Sequence, residues 1–345
     1  MSESTMDTIA PRQDVAEVDP QPGSTKPDPI LKVDTMVRRF GGLVAVDVDH
    51  LEVQRNWITA LIGPNGAGKT TFFNLLTGFD KPSSGVVEFN GDRLPEKVSP
   101  EKLANDGMVR TFQLTKSLTR LSVIENMRLG AQGQLGERFL PALFKPAWSD
   151  QEDEITTRAD ELLERFNMTH MREEFAGTLS GGQRKLLEMA RSLMTHPTLV
   201  MLDEPMAGVN PALTQTLLEH VKDLRDQGMT VIFVEHDMDV VHEIADWVVV
   251  MAEGRIIAEG TPKAISKNKA VVDAYLGSHH GDDLEFDAEG NPIYEKHRAT
   301  AEEAEIAAKV DAELDAEERA KREAARRGQA AQQDAGNPDD DGATA

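Results

Sequence analysis

Residues 63–70 read GPNGAGKT, and no other stretch restricts so sharply what this chain can fold into. The run WITALI, of strand character, leads into it, and a helical pattern follows. A loop with this spacing, G-x-x-x-x-G-K-[ST], curls round a diphosphate. Glycine lets backbone N–H groups approach an anion without a Cβ clash. Gly63, Gly66 and Gly68 meet that need, with Pro64, Asn65 and Ala67 between them. Lys69 would reach the β- and γ-phosphates as a point charge, and the Thr70 hydroxyl would ligate Mg²⁺. Thr71 belongs to the same run, where the following helix turns its positive end to the phosphates. An ordinary glycine turn ending in Lys-Thr would not need a strand before it and a helix after it.

A second feature stands at residues 198–204, where the apolar strand TLVML runs into Asp203 and Glu204. Carboxylates at the end of a strand lie at the carboxyl edge of the sheet, where open α/β folds bind ligands. Asp203 would hold Mg²⁺ or its waters, and Glu204 would polarise an attacking water as general base. An isolated Asp-Glu pair is more often a cap or a solvated turn, but this one accompanies a phosphate loop.

The third feature is LSGGQ at residues 179–183, followed by the helical RKLLEMARSLM. Ser180, Gly181, Gly182 and Gln183 at a helix start form another anion site built from backbone N–H groups. One chain then carries two phosphate grips for one nucleotide. The economical arrangement is a pair of subunits, each lending its second grip to the other's nucleotide.

Around these motifs the pattern is that of an α/β protein. Continuous apolar runs at Thr198–Asp203, Thr230–Glu235 and Trp247–Met251 suit buried parallel strands. Further strands are expected at Gly85–Phe89 and Met108–Phe112, and alternating segments joined by Gly41-Gly42 precede the loop. Helices are expected over Glu152–Phe166, Gly182–Thr195 and Pro211–Gln227. From Gln113 to Gly177 the strand signal gives way to a helical one, with a loop at Arg138–Ser149, which reads as a helical insertion spanning about 114–195.

Residues 1–29 are rich in Pro, Asp, Gln, Ser and Thr and are expected to be a disordered arm. They contain neither the basic nor the apolar region of a secretory signal. The expected domain is 30–280. Beyond it, 281–345 is an acidic, Ala-rich tail, disordered or partly helical over Ala299–Arg327. That tail holds 19 acidic and eight basic residues of a chain whose net charge is −23, so the body is only mildly acidic. An acidic surface argues against nonspecific binding to nucleic acid or anionic lipid. With no cysteine there is neither a disulfide nor a thiolate metal site. No apolar run approaches the roughly 20 residues of a spanning helix, so a membrane role would work through another polypeptide.

The order of these motifs resembles that of ABC ATPases, over roughly Ile30 to Gly277, with LSGGQ standing just before TLVMLDEP. The resemblance implies a P-loop ABC ATPase fold: a mixed β-sheet core, an antiparallel β subdomain and an inserted helical subdomain. It also implies roles for further residues. Phe40 in RRFGG would stack on adenine. Gln113 in VRTFQ would sense Mg²⁺ and the water and link to the helical subdomain. His236 in FVEHDM would contact the γ-phosphate and hold Glu204 in place. PMAGVNP, at 205–211, is similar to the loop that touches the opposite subunit, with Asn210 where many cassettes have Asp.

RRFGGLVAVDVDHLEV, VRTFQ, EPMAGVNP, VEHDMDVVHEIADWVVVMAEGRIIAEGTP and VVDAYLG look like the cassettes of branched-chain amino-acid importers. That branch implies ATP and Mg²⁺ as ligands, and pairing as a homodimer or with a second, different ABC ATPase. It further implies permease subunits in the membrane, an extracytoplasmic binding protein acting indirectly, and a cytoplasmic place on the inner face of the membrane. Urea or amide import and lipopolysaccharide export stay open on the same motifs. A soluble ABC ATPase acting on ribosomes or DNA would resemble two cassettes in one chain or a cassette split by a long coiled coil, and this chain has neither feature.

Overall fold

The computed structural model describes residues 18–111, 118–133, 149–278, 285–286 and 292–293. The site is positioned by a six-stranded sheet with the order β10-β9-β3-β8-β7-β6. Its members are β3 (Ile58–Ile62), β6 (Met108–Arg110), β7 (Leu199–Asp203), β8 (Thr230–Val234), β9 (Trp247–Ala252) and β10 (Arg255–Gly260). All neighbours run parallel except β10, which returns antiparallel along β9.

The apolar runs are continuous because both faces of this sheet are covered. Ile58, Ala60 and Ile62 of β3 enter one core with Val200, Leu202, Val231, Phe233, Val248 and Val250. The intervening Leu61, Met201, Ile232, Val234 and Val249 enter a second core on the other face. Each strand thus divides its side chains alternately between two cores.

The second core is closed by a four-stranded antiparallel sheet, in the order β2-β1-β4-β5, and by helix α1 (Lys69–Leu76). The sheet comprises β1 (Pro29–Phe40), β2 (Leu43–Gln54), β4 (Ser84–Phe89) and β5 (Asp92–Arg93). The short helix α2 (Pro100–Asn105) is capped by Ser99 and leads into β6.

On the first face lie α3 (Val123–Arg128), α4 (Ser149–Arg165), α5 (Gly181–Ser192) and α6 (Pro211–Asp226). Ser122 and Glu125 form a reciprocal capping box on α3, and wholly buried Asn126 ties that helix to the backbone of Leu118, Leu121 and Ser122. After α7 (Met238–Ile244), β9 and β10, the short α8 (Pro262–Ile265) and α9 (Lys269–Ser278) close this part of the chain. The remaining described residues pair as two short antiparallel strands, β11 (Glu285–Phe286) and β12 (Pro292–Ile293).

The expected disordered arm requires correction over residues 18–28. Val18, Ser24 and Lys26 are buried, and Lys26 reaches Glu259 of β10 at 3.2 Å. The low apolar content of this segment concealed the fact that it is held by polar groups. Strand β6 stops at Arg110, short of the expected Phe112, and the Gly182–Thr195 helix ends at Ser192 in a 3₁₀ turn over Leu193–Thr195. The antiparallel return of β10 makes the sheet mixed, as expected. Gln113, the loop over 138–148 and the helix expected in the tail lie outside the described residues.

Candidate active site

Strand β3 ends at Ile62, and the chain turns at once into the glycine loop. A Cβ on Gly63 would lie 2.0 Å from the carbonyl oxygen of Met251, and one on Gly68 would lie 2.5 Å from that of Ala45. Both residues also have positive φ, at 148° and 97°. Neighbouring strands therefore press on the loop at two points where a side chain cannot exist. Gly68 is the N-cap of α1 and brings no capping side chain, so the first-turn amides point into the loop without a side-chain acceptor at that cap. Lys69 Nζ donates to the carbonyls of Gly63 at 2.5 Å and Pro64 at 3.0 Å. Burial lowers the pKa of this ammonium, and the charge of Glu204 opposes the shift. Glu204 and Lys69 thus share one electrostatic environment although 135 positions separate them.

Strand register accounts for that proximity. Val234 is paired with Leu61 on one side and with Asp203 on the other, so the ends of β3, β8 and β7 form one row across the sheet. The loop follows the first of these strands, Glu235 and His236 the second, and Glu204 the third. Asp203 is buried and accepts a hydrogen bond from Arg110 Nη2 at 2.5 Å. Arg110 Nη1 also donates to Asn74 and Thr77, at opposite ends of the last turn of α1. Glu204 has φ 46°, a left-handed conformation uncommon for a residue with a side chain. Its N–H donates to the carbonyl of Val234 at 3.1 Å, which fixes the sharp turn out of β7.

The His236 side chain is 68% exposed, and its Nδ1 is 3.8 Å from the carboxylate of Glu235. Glu235 itself is buried. Burial raises its pKa, against hydrogen bonds from the N–H groups of Met206 and His236 and the positive influence of the His236 ring. Phe40 projects, half exposed, from the end of β1, with the Arg38 guanidinium 4.4 Å from its ring centre.

At the second grip, the Ser180 hydroxyl accepts from the N–H of Gln183, and the Gln183 side chain accepts from the N–H of Ser180. Two of the amides expected to meet an anion, those of Ser180 and Gln183, are therefore engaged within the motif. Asn210 caps α6, accepting from the N–H of Leu213 at 2.9 Å. The amide thus retains the capping function that an aspartate would serve there.

Sequence reasoning missed Arg110, Lys185 and Glu235. Glu235 carries a signal in the sequence: an acid that directly follows a strand as apolar as TVIFV has few routes to water, and it adjoins His236. Arg110 lies inside VRTFQ, where nothing in the neighbouring residues marks it as buried.

A family model described as ABC transporter matches residues 46–207, and one described as branched-chain amino acid ATP-binding cassette transporter matches 255–281. The branched-chain amino acid transport ATP-binding protein BraF of Pseudomonas aeruginosa is 42% identical over 251 residues, which cover 72% of this chain and 98% of that protein. The chain belongs to the ABC transporter ATP-binding family. The corresponding LivG protein of Escherichia coli is 40% identical, again covering 72% of this cassette and 98% of the relative. A probable LivG protein of Methanocaldococcus jannaschii is 39% identical, with 72% and 97% covered. Among solved structures, the ADP conformation of an ATP-binding cassette of an ABC transporter superposes with TM-score 0.62 at 37% identity, covering 72% of this chain and 99% of that one. As a member of this family the cassette binds and hydrolyses ATP, and its fold is that of a P-loop ABC ATPase. Among the described residues no helix is long and apolar enough to cross a membrane.

Proposed function

We propose that this cassette powers the uptake of branched-chain amino acids, working as one of a pair of ATP-binding subunits on partner permeases at the inner face of the membrane, with an external binding protein presenting the solute. The match over 255–281 and relatives aligned along nearly their whole length support the solute class. The observation that carries the chemistry is the row formed by Leu61, Val234 and Asp203. It gathers the phosphate loop, His236 and Glu204 at one sheet edge.

In this reading the loop from Gly63 to Thr71 holds the triphosphate, with Lys69 neutralising the β- and γ-phosphates. Phe40 stacks on adenine, from an exposed position open to a planar ligand. Glu204 accepts a proton from the attacking water, and His236 contacts the γ-phosphate. Gln113 senses the water and carries the signal to the helical segment, where the permease docks. Ser180, Gly181, Gly182 and Gln183 grip the ATP of the other cassette.

Hydroxyl and carboxylate oxygens suit Mg²⁺, which takes one or two carboxylates and completes its shell with phosphates and water. Among the described residues no cluster of three or more His, Cys, Asp or Glu forms a closed metal cage. Thr70 and Asp203, with Gln113, would hold Mg²⁺, which supplies charge neutralisation at the β- and γ-oxygens.

The Glu204→Gln variant tests the chemistry. It should hydrolyse ATP on the order of 100-fold more slowly or worse, as expected when a general base is lost. It should also form a dimer on adding ATP, seen by size-exclusion chromatography. Hydrolysis at the wild-type rate would remove Glu204 from the base role. For the solute, the cassette would be assembled with its permeases in vesicles and the uptake of leucine, isoleucine, valine and urea compared; uptake of urea alone would overturn the assignment.

A further inference from the structure

Between Glu204 and Ala207 the chain makes a tight turn, closed by the N–H of Ala207 donating to the Glu204 carbonyl at 3.2 Å and entered through the left-handed Glu204, and this turn is gripped by two charged residues from different elements. Lys185, on α5, directs its ammonium at three backbone carbonyls: Pro205 at 3.0 Å, Glu204 at 3.4 Å and, most closely, Ala207. Glu235, at the end of β8, accepts the N–H of Met206 through Oε1 at 3.0 Å. Its other oxygen accepts the N–H of His236 at 3.3 Å. A cation thus covers the carbonyls of the turn and an anion covers its amide.

The arrangement is costly unless it serves a purpose. Glu235 is 1% exposed, and a buried carboxylate is stable only when its oxygens are hydrogen-bonded. Burial also lowers the pKa of Lys185, while the charges of Glu235, Glu188 and Glu204 act to keep it protonated. A left-handed φ at a residue with a side chain costs of order 1–3 kcal/mol and persists only where surrounding contacts over-determine it. Charge-assisted bonds on four successive residues supply that over-determination.

We propose that Lys185 and Glu235 are positioning residues for hydrolysis, clamping the Glu204–Ala207 turn so that the Glu204 carboxylate is held at the nucleotide. This rests on the reading of Glu204 as general base. The clamp bonds to the backbone of the turn, so its effect passes through Glu204. Lys185 also rides on the helix whose N-cap is Ser180. The grip on the partner's nucleotide and the clamp on the chain's own base are therefore five residues apart on one rigid element.

The test is a pair of Lys185→Met variants of the full-length chain, one in the wild-type background and one in the Glu204→Gln background, with Lys185→Arg and Glu235→Gln beside them. Misplacing a catalytic group by about 1 Å costs up to about 100-fold in rate. Lys185→Met should therefore lower kcat by about 10- to 100-fold, with KM for ATP and the affinity for a fluorescent ATP analogue changed less than about twofold. Lys185→Arg, which keeps donors for the carbonyls, should restore most of the rate. In the Glu204→Gln background the same substitution should leave the residual rate unchanged, because no base is left to position. An equal fold-loss in both backgrounds would overturn the proposal, as would unchanged kcat in Lys185→Met. If Lys185→Met does not fold, Glu235→Gln carries the same comparison. Failure of the base reading would show separately, as wild-type hydrolysis in Glu204→Gln alone.

Discussion

The guanidinium of Arg110 donates to a carboxylate oxygen of Asp203 at 2.5 Å, and the two side chains are only 6% and 7% exposed. Removing one partner from such a pair leaves an uncompensated buried charge, whereas replacing both with apolar groups is often nearly neutral. Arg110→Met should therefore lower stability by about 3–5 kcal/mol, measured as a lower urea midpoint. Adding Asp203→Leu should recover part of that loss. A double variant less stable than Arg110→Met alone would mean that the pair is not the origin of the effect.

Lys69 is the one cation that the loop carries to its own phosphate site. Charge-assisted contacts are worth about 1.5–3 kcal/mol each. Lys69→Ala should weaken binding of a fluorescent ATP analogue by at least about tenfold and abolish turnover. Near-normal turnover would contradict the assignment of the loop.

His220 of α6 stacks on Phe166, just after α4, with ring centres 4.3 Å apart, and neither ring nitrogen has a hydrogen-bond partner. Burial lowers its pKa below the ordinary 6.5, aided by Arg165 and opposed by Asp223 and Glu219. The unfolded chain therefore takes up this proton at a higher pH than the folded one. It follows that stability from this group is complete above 6.5 and is lost as pH falls below it. Melting temperatures between pH 7 and pH 5 should drop more steeply for the wild type than for His220→Phe, which keeps the stack. Parallel curves would exclude His220 as the source.

The tail holds none of the motifs assigned to nucleotide chemistry. Deleting 281–345 should leave basal ATPase activity within about twofold, while removing much of the acidic charge that favours solubility. Loss of activity with an unchanged melting curve would give the tail a direct part in hydrolysis.

What could be read from sequence followed from local physics. GPNGAGKT, LSGGQ and the apolar runs of β7, β8 and β9 each declare themselves within a dozen residues, because loop curvature, helix capping and burial on both sheet faces are local demands. The charged residues that fix the site do not. Arg110 and Asp203 lie 93 positions apart, and Lys185 meets a turn about 20 residues on only in the folded chain. Nothing in the residues around Arg110 or Lys185 distinguishes a buried charge from a solvated one. Glu235 is the exception, since an acid next to four buried apolar residues has few routes to water.

The segment before β1 shows the same limit and yields the last prediction. Composition alone invites truncation at Pro29, yet Lys26 and Glu259 pair with both side chains at 0% exposure, 233 positions apart. The Lys26 ammonium also bonds to the Ser24 carbonyl and hydroxyl and lies 4.5 Å from the centre of the Trp247 ring. Glu259 accepts from the N–H of Gly23 and the indole of Trp247, and Glu52 accepts the N–H of Lys26. Removing residues 1–28 leaves Glu259 without its cation and with the indole alone among these donors, and leaves Glu52 without the backbone donor. By the same reasoning as for Arg110, the truncated chain should lose about 3–5 kcal/mol. The loss should be smaller when the truncation is combined with Glu259→Gln, because a neutral amide can still accept from the indole without a buried charge. Denaturant melts of the full chain, the truncation and the truncation with Glu259→Gln would decide the matter. If the truncated chain is as stable as the full one, the strap contributes nothing; if Glu259→Gln worsens the truncation, the missing cation is not what destabilises it.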